Sequence, residues 1–118
     1  MNKYLLAVHF VLAPQWAMAN SPTCSGSNQW AASSAFVQLK NAGILSNDTT
    51  DFTKTNVIRL ASEMIGTGLY RQIHKITFTE KSGHTVEVIT INDASHEECS
   101  MSGVEVYVVS QRLGDLKQ

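Results

Sequence analysis

Thr85–Arg112 reads TVEVITINDASHEECSMSGVEVYVVSQR. It holds two β-rich runs around a polar elbow. Val86, Val88, Ile89 and Ile91 make the first run, and Val104, Val106, Val108 and Val109 make the second. β-branched residues at this density fit a pleated, half-buried surface better than a helix. The second run alternates cleanly: Val104, Val106 and Val108 point one way, and Glu105, Tyr107 and Val109 the other. The elbow carries Cys99, one of only two cysteines. The rest of the chain must therefore cover a sheet and hold an elbow that has few apolar residues of its own.

Working outward, residues 1–19 have the three parts of a secretory signal peptide. Lys3 gives the positive start, and Leu5–Ala13 is an apolar run interrupted only by His9. Pro14 breaks that run. Ala17 and Ala19 then place small residues at −3 and −1 of a cleavage point before Asn20. A membrane anchor is the competing reading, but about 30 Å of hydrocarbon needs roughly 20 apolar residues. Cleavage leaves 20–118, 99 of the 118 residues, as a single small α+β domain. Without Lys3, eight basic residues face ten acidic ones, a formal charge of −2. That balance argues against a nucleic-acid partner, which needs a basic patch. The rest of the sequence has no second long apolar stretch, so no membrane contact is expected after cleavage.

Export decides how the cysteines are read. Two cysteines in an oxidising compartment have one intramolecular pairing, Cys24 with Cys99. The alternative is a metal or redox site built on His96-Glu97-Glu98-Cys99, with His74 and His84 elsewhere. One thiolate and one nearby imidazole do not make a four-ligand zinc set, and a disulfide removes the thiolate. No metal or cofactor is expected.

Ser25–Ala42 has the pattern of a helix. Ser27 or Asn28 can cap it, and Ala32, Ala35, Phe36 and Leu39 recur at three- and four-residue spacing. Gly43 is placed to end it, with Ile44 packing back on Leu39. Trp30, the one tryptophan after the leader, is read as a core or rim anchor. Residues 46–53 form a loop, and the Asn47-Asp48-Thr49 glycosylation triplet is discounted as a chance match. Residues 54–65 fit a helical face at Val57, Leu60, Ala61, Met64 and Ile65, yet Thr55–Leu60 favours a strand. The strand is preferred because Gly66-Thr67-Gly68 can close a hairpin onto Leu69–Glu80. In that next strand the apolar parity slips between Ile73 and Ile76, so a β-bulge near His74-Lys75 is expected. Lys81-Ser82-Gly83 is then a hairpin turn. The fold class is α+β: one N-terminal helix packed on a three- to four-stranded antiparallel sheet in chain order, with one disulfide.

This layout places Cys24 before the helix, strand–turn–strand over Ile73–Ile91, and Cys99 shortly before Val104–Val108. It resembles the small exported proteins of the YebF and colicin M immunity protein type. The resemblance covers most of the mature chain and rests on layout, without a signature motif. It implies a disulfide-bonded α+β fold with a binding or carrier role, and it transfers no functional residue.

No catalytic motif is present. The chain lacks a Gly-x-Ser-x-Gly elbow, a phosphate loop, a His-Glu-x-x-His helix and the Glu-Ala-x-Arg stretch of Shiga-like A subunits. His74, His84 and His96 each lie among polar residues and are expected at the surface. Glu97 and Glu98 are adjacent on an extended chain and point apart. No serine stands out as a nucleophile. The expected function is that of a periplasmic or secreted, non-enzymatic binding protein: an inhibitor or immunity-type factor for an exported enzyme or toxin. The alternative is a small toxin-associated secreted subunit, or an enzyme without a recognisable motif. Tyr and Arg are the residue types that anchor protein interfaces. Tyr70, Arg71, Tyr107 and Arg112 are the candidate partner-binding residues if their strands present them outward; the plainer reading of Tyr70 and Tyr107, and the one preferred, is that they cover the sheet's second face.

Overall fold

Residues 56–109 fold into the sheet that their alternation demands. The computed structural model describes residues 20–111 and 113–114. Residues 1–19, Arg112 and residues 115–118 lie outside them. The elements run α1 (Trp30–Asn41), a 3-10 turn (Phe52–Lys54), β1 (Asn56–Gly66), β2 (Leu69–Thr79), β3 (Thr85–Ala94) and β4 (Glu105–Val109). The four strands form one antiparallel sheet in chain order, β1-β2-β3-β4. The ambiguous 54–65 segment is thus largely strand. Its hairpin with β2 turns through Gly68 at φ +69°, and the β2–β3 hairpin turns through Gly83 at φ +95°.

Helix α1 lies on one face of the sheet. Its Ala31, Ala32, Ala35 and Leu39 meet Ile76 and Phe78 of β2 and Val86 and Val88 of β3, and Leu45 closes the end. Burying each large side chain contributes about 1.5–3 kcal/mol. The helix starts later than its composition suggests. Residues 25–29 make a turn instead, with Gln29 N–H donating to Gly26 O at 3.0 Å. Neither Ser27 nor Asn28 caps the helix; Gln29 is the N-cap and makes no side-chain capping bond. The reason is that Cys24 is bonded to Cys99 and Ser25 to His74, which holds this segment down on the sheet. Trp30 is a rim anchor, its indole N–H donating to Ser102 O at 2.9 Å.

The helix ends in a Schellman arrangement: Ile44 N–H donates to Leu39 O and Gly43 N–H to Lys40 O. Ile44 itself is exposed, and Leu45 takes the buried place expected of it. Gly43 sits at φ +75°, and an added Cβ would meet nothing within 4 Å. Gly43→Ala therefore costs only the left-handed backbone penalty, roughly 1–2 kcal/mol. Urea unfolding should show that loss as a lower midpoint at unchanged slope.

The expected bulge in β2 is corrected. β2 pairs with β3 without a break from Tyr70↔Ala94 to Thr79↔Thr85. The irregularities lie in β1, between Arg59 and Ala61 and between Met64 and Gly66. Along β2, Tyr70, Gln72, His74, Ile76 and Phe78 are all buried. The apparent slip came from polar residues sitting on the inner face.

Candidate functional site

The two faces of the sheet differ in chemistry. On the outer face the register builds cross-strand rows: Ile58–Lys75–Ile89–Tyr107, Ala61–Ile73–Ile91–Glu105 and Glu63–Arg71–Asp93. No described element covers this face. Tyr107 is 54 % exposed and Ile58 43 %. Arg71 makes a two-pronged ion pair with Asp93, Nε to Oδ1 at 2.9 Å and Nη2 to Oδ2 at 3.3 Å. That hydrogen bonding, with the charges of Asp93, Glu105 and Glu63, raises the Arg71 pKa further above its ordinary value. The Tyr107 hydroxyl donates to Glu105 Oε2 at 2.8 Å, and this bond and the carboxylate charge raise its pKa. A groove of about 590 Å³ opens beside these groups, lined by Arg71, Ile91, Asp93, Ser102, Val104 and Glu105.

Of the four candidates for partner binding, Arg71 and Tyr107 share this face. Arg112 lies outside the described residues. Tyr70 is a correction: it is 5 % exposed on the inner face, with its ring edge-on to His96 at 5.5 Å. The β2 alternation that buries Phe78 also carries Tyr70 inward. The Arg71–Asp93 pair is solvent-exposed and contributes little to folding. Arg71→Ala should leave the urea midpoint close to that of the unmodified protein, which separates its role from that of the core.

The inner face is apolar under α1 and polar under residues 21–25. Gln72, His74, Thr90, Asn92 and Ser62 are all buried there. In the ladder His74 faces Thr90, and Gln72 faces Asn92. The extended N-terminal segment lies over this row. Pro22 O accepts from Gln72 Nε2 at 2.9 Å and from Arg59 Nη1 at 3.1 Å. Asn92 Nδ2 donates to Cys99 O at 3.2 Å, so the row also holds the elbow. Ser25 Oγ lies 2.8 Å from His74 Nε2. Four buried atoms of the row have no hydrogen-bond partner: Gln72 Oε1, His74 Nδ1, Thr90 Oγ1 and Asn92 Oδ1.

His74 overturns the expectation of three surface histidines. It is wholly buried, whereas His84 and His96 are exposed. Burial, then the nearby Arg59 charge, lower its pKa to about 4. It is neutral at neutral pH. Ser25, Arg59, Gln72, His74 and Asn92 were missed by hydrophobic patterning. The available signal was strict alternation run backwards from Phe78 through Ile76, once polar residues are allowed inside.

Cys24 and Cys99 are disulfide-bonded, with Cα atoms 5.6 Å apart, so Cys99 has no thiolate to offer a metal with His96. Among the described residues no helix is long and apolar enough to cross a membrane. Comparison with models of protein families, with curated proteins and with solved structures gives no match. What the chain is shown to be rests on its own architecture: a helix on a four-stranded antiparallel sheet, joined by one disulfide.

Proposed function

We propose that this is an exported binding protein of the inhibitor or immunity type, and that its partner is a folded enzyme or toxin with a basic surface. The observation that carries the reading is the uncovered outer face of the sheet. It combines exposed apolar residues, Tyr107 and Arg71 with four carboxylates, Glu63, Glu87, Asp93 and Glu105, against Arg71 and Lys75. An apolar centre with a charged rim is the anatomy of a protein interface, and the acidic excess steers a basic partner. The leader-like start, the disulfide and the shared layout with the YebF and colicin M immunity group support export to the periplasm or beyond.

The test is capture from a periplasmic extract on the immobilised protein, followed by an activity assay of whatever hydrolase or toxin is retained. Inhibition of that activity, with Tyr107→Ala weakening binding by about tenfold or more, supports the reading. Retention that Tyr107→Ala and Arg71→Ala leave unchanged would place the partner elsewhere and defeat it.

A further inference from the structure

The polar row of the inner face is retained against the demands of packing. A branched aliphatic residue at position 74 would continue the Ile76–Phe78 core. Instead the ring is wholly buried with Nδ1 unpartnered, and three neighbours in the row are also left with an unpartnered atom. Leaving a buried polar atom without a partner is destabilising. Local rules broken together in one place mark function more often than accident.

What distinguishes this row is that it meets a cleft at Ser25. Ser25 is half-buried on the wall of a cleft of about 530 Å³, lined with Thr23, Gly26, Gln29 and Arg59. With the ring proton on Nδ1, the Nε2 lone pair faces the Ser25 hydroxyl at 2.8 Å. That is the relation of a nucleophile to its base. The base is fixed from behind by the sheet, and Ser25 lines the cleft.

We propose that Ser25, with His74 as its base, is an acyl-accepting nucleophile for activated esters. The Ser25 Oγ–carbonyl carbon bond forms as the bond from that carbon to the leaving oxygen breaks. The hydroxyl proton passes to His74 Nε2 and from there to the leaving oxygen. Arg59 on the cleft wall places positive charge beside the oxyanion that develops in between. Its charge and the burial of the ring also make His74 a weak base. The site therefore suits donors with good leaving groups and single acylation, not rapid amide hydrolysis. It lies on the face of the sheet opposite the proposed partner surface, so each proposal stands or falls without the other.

The test treats the folded, disulfide-bonded protein with a fluorophosphonate–biotin reagent. Ser25 Oγ–phosphorus bond formation expels fluoride, and the proton leaves through His74 to water. One adduct per chain is expected, mapped by peptide mass to Ser25. It should form at least about tenfold faster than at the exposed Ser27 and Ser33, the low end of what a positioned base supplies. Ser25→Ala should abolish it, and His74→Gln should reduce it to the Ser27 level. Where His74→Gln does not fold by far-UV circular dichroism, pre-treatment of the unmodified protein with p-nitrophenyl acetate is the second measurement, and it should block the label. No adduct at Ser25, one no faster than at Ser27, labelling undiminished in folded His74→Gln, or labelling that p-nitrophenyl acetate leaves untouched would overturn the proposal.

Discussion

Cys99→Ser is expected to lower the free energy of unfolding by roughly 2–5 kcal/mol. The bond joins residues 75 apart in sequence, and the chain-entropy cost of closing a loop of that length is about 4 kcal/mol. Little else substitutes for it. The elbow is held by Asn92 Nδ2 on Cys99 O, by the Ser95–Glu98 turn, by Met101 N–H on Asp93 O, by Asp93 N–H on the Ser102 hydroxyl and by Trp30 on Ser102 O. Each such hydrogen bond is worth about 1 kcal/mol net. Losing the bond also frees residues 21–25, and with them the lid over the polar row. A domain of this size has about 5–15 kcal/mol in total, so yield in an oxidising compartment should fall as well. Urea unfolding of oxidised protein and of Cys99→Ser measures the difference. A midpoint unchanged by the substitution, or two free thiols in the folded unmodified protein, would refute it.

Acid should remove about 3 kcal/mol through His74 alone. Its folded pKa is depressed from 6.5 to about 4. Between these values the unfolded chain binds a proton that the folded chain refuses. Stability is therefore complete above pH 6.5 and is lost as pH falls toward 4. Below 4 both states carry the proton and the loss stops growing. The 2.5-unit gap at 1.36 kcal/mol per unit gives the estimate. Ser25, Thr90 and the Arg59 guanidinium are the groups placed around the ring, and Arg59 keeps its charge throughout this range. Stability measured by urea at pH 7, 5 and 4 should fall steeply, and His74→Gln should flatten the part due to this ring. Equal slopes in both proteins would show that carboxylates, not His74, govern acid unfolding.

The sheet was legible because its apolar residues alternate where they face α1. Val86 and Val88 go in while Ile89 and Ile91 go out, and Val104–Val109 behaves as written. The disulfide was legible because two cysteines leave one pairing. The helix start was not, since the turn at 25–29 is imposed by bonds to Cys99 and His74, residues 75 and 49 positions away. The polar row was missed for a more general reason. Patterning assumes that buried means apolar, so Gln72 and His74 on the inner face looked like a change of parity. A bulge in β2 was the natural repair, and it was misplaced. The same assumption lies behind Tyr70 as a candidate for partner binding and behind His74 as a surface histidine.

The disulfide has a mechanical consequence. Residues 24 to 99 form a closed covalent ring that contains α1 and three of the four strands, while β4 hangs outside it. A reduced stretch of 75 residues can be drawn out to on the order of 250 Å. Pulled by its ends in the oxidised state, the same stretch adds only the 5.6 Å between its two Cα atoms. Force applied at the C-terminal side first meets β4, whose five residues pair with β3 alone. It unzips from there, and the tension then passes through sulfur and bypasses the core. A narrow pore that threads chains singly would have to take this ring as a doubled strand, or wait for a reductant.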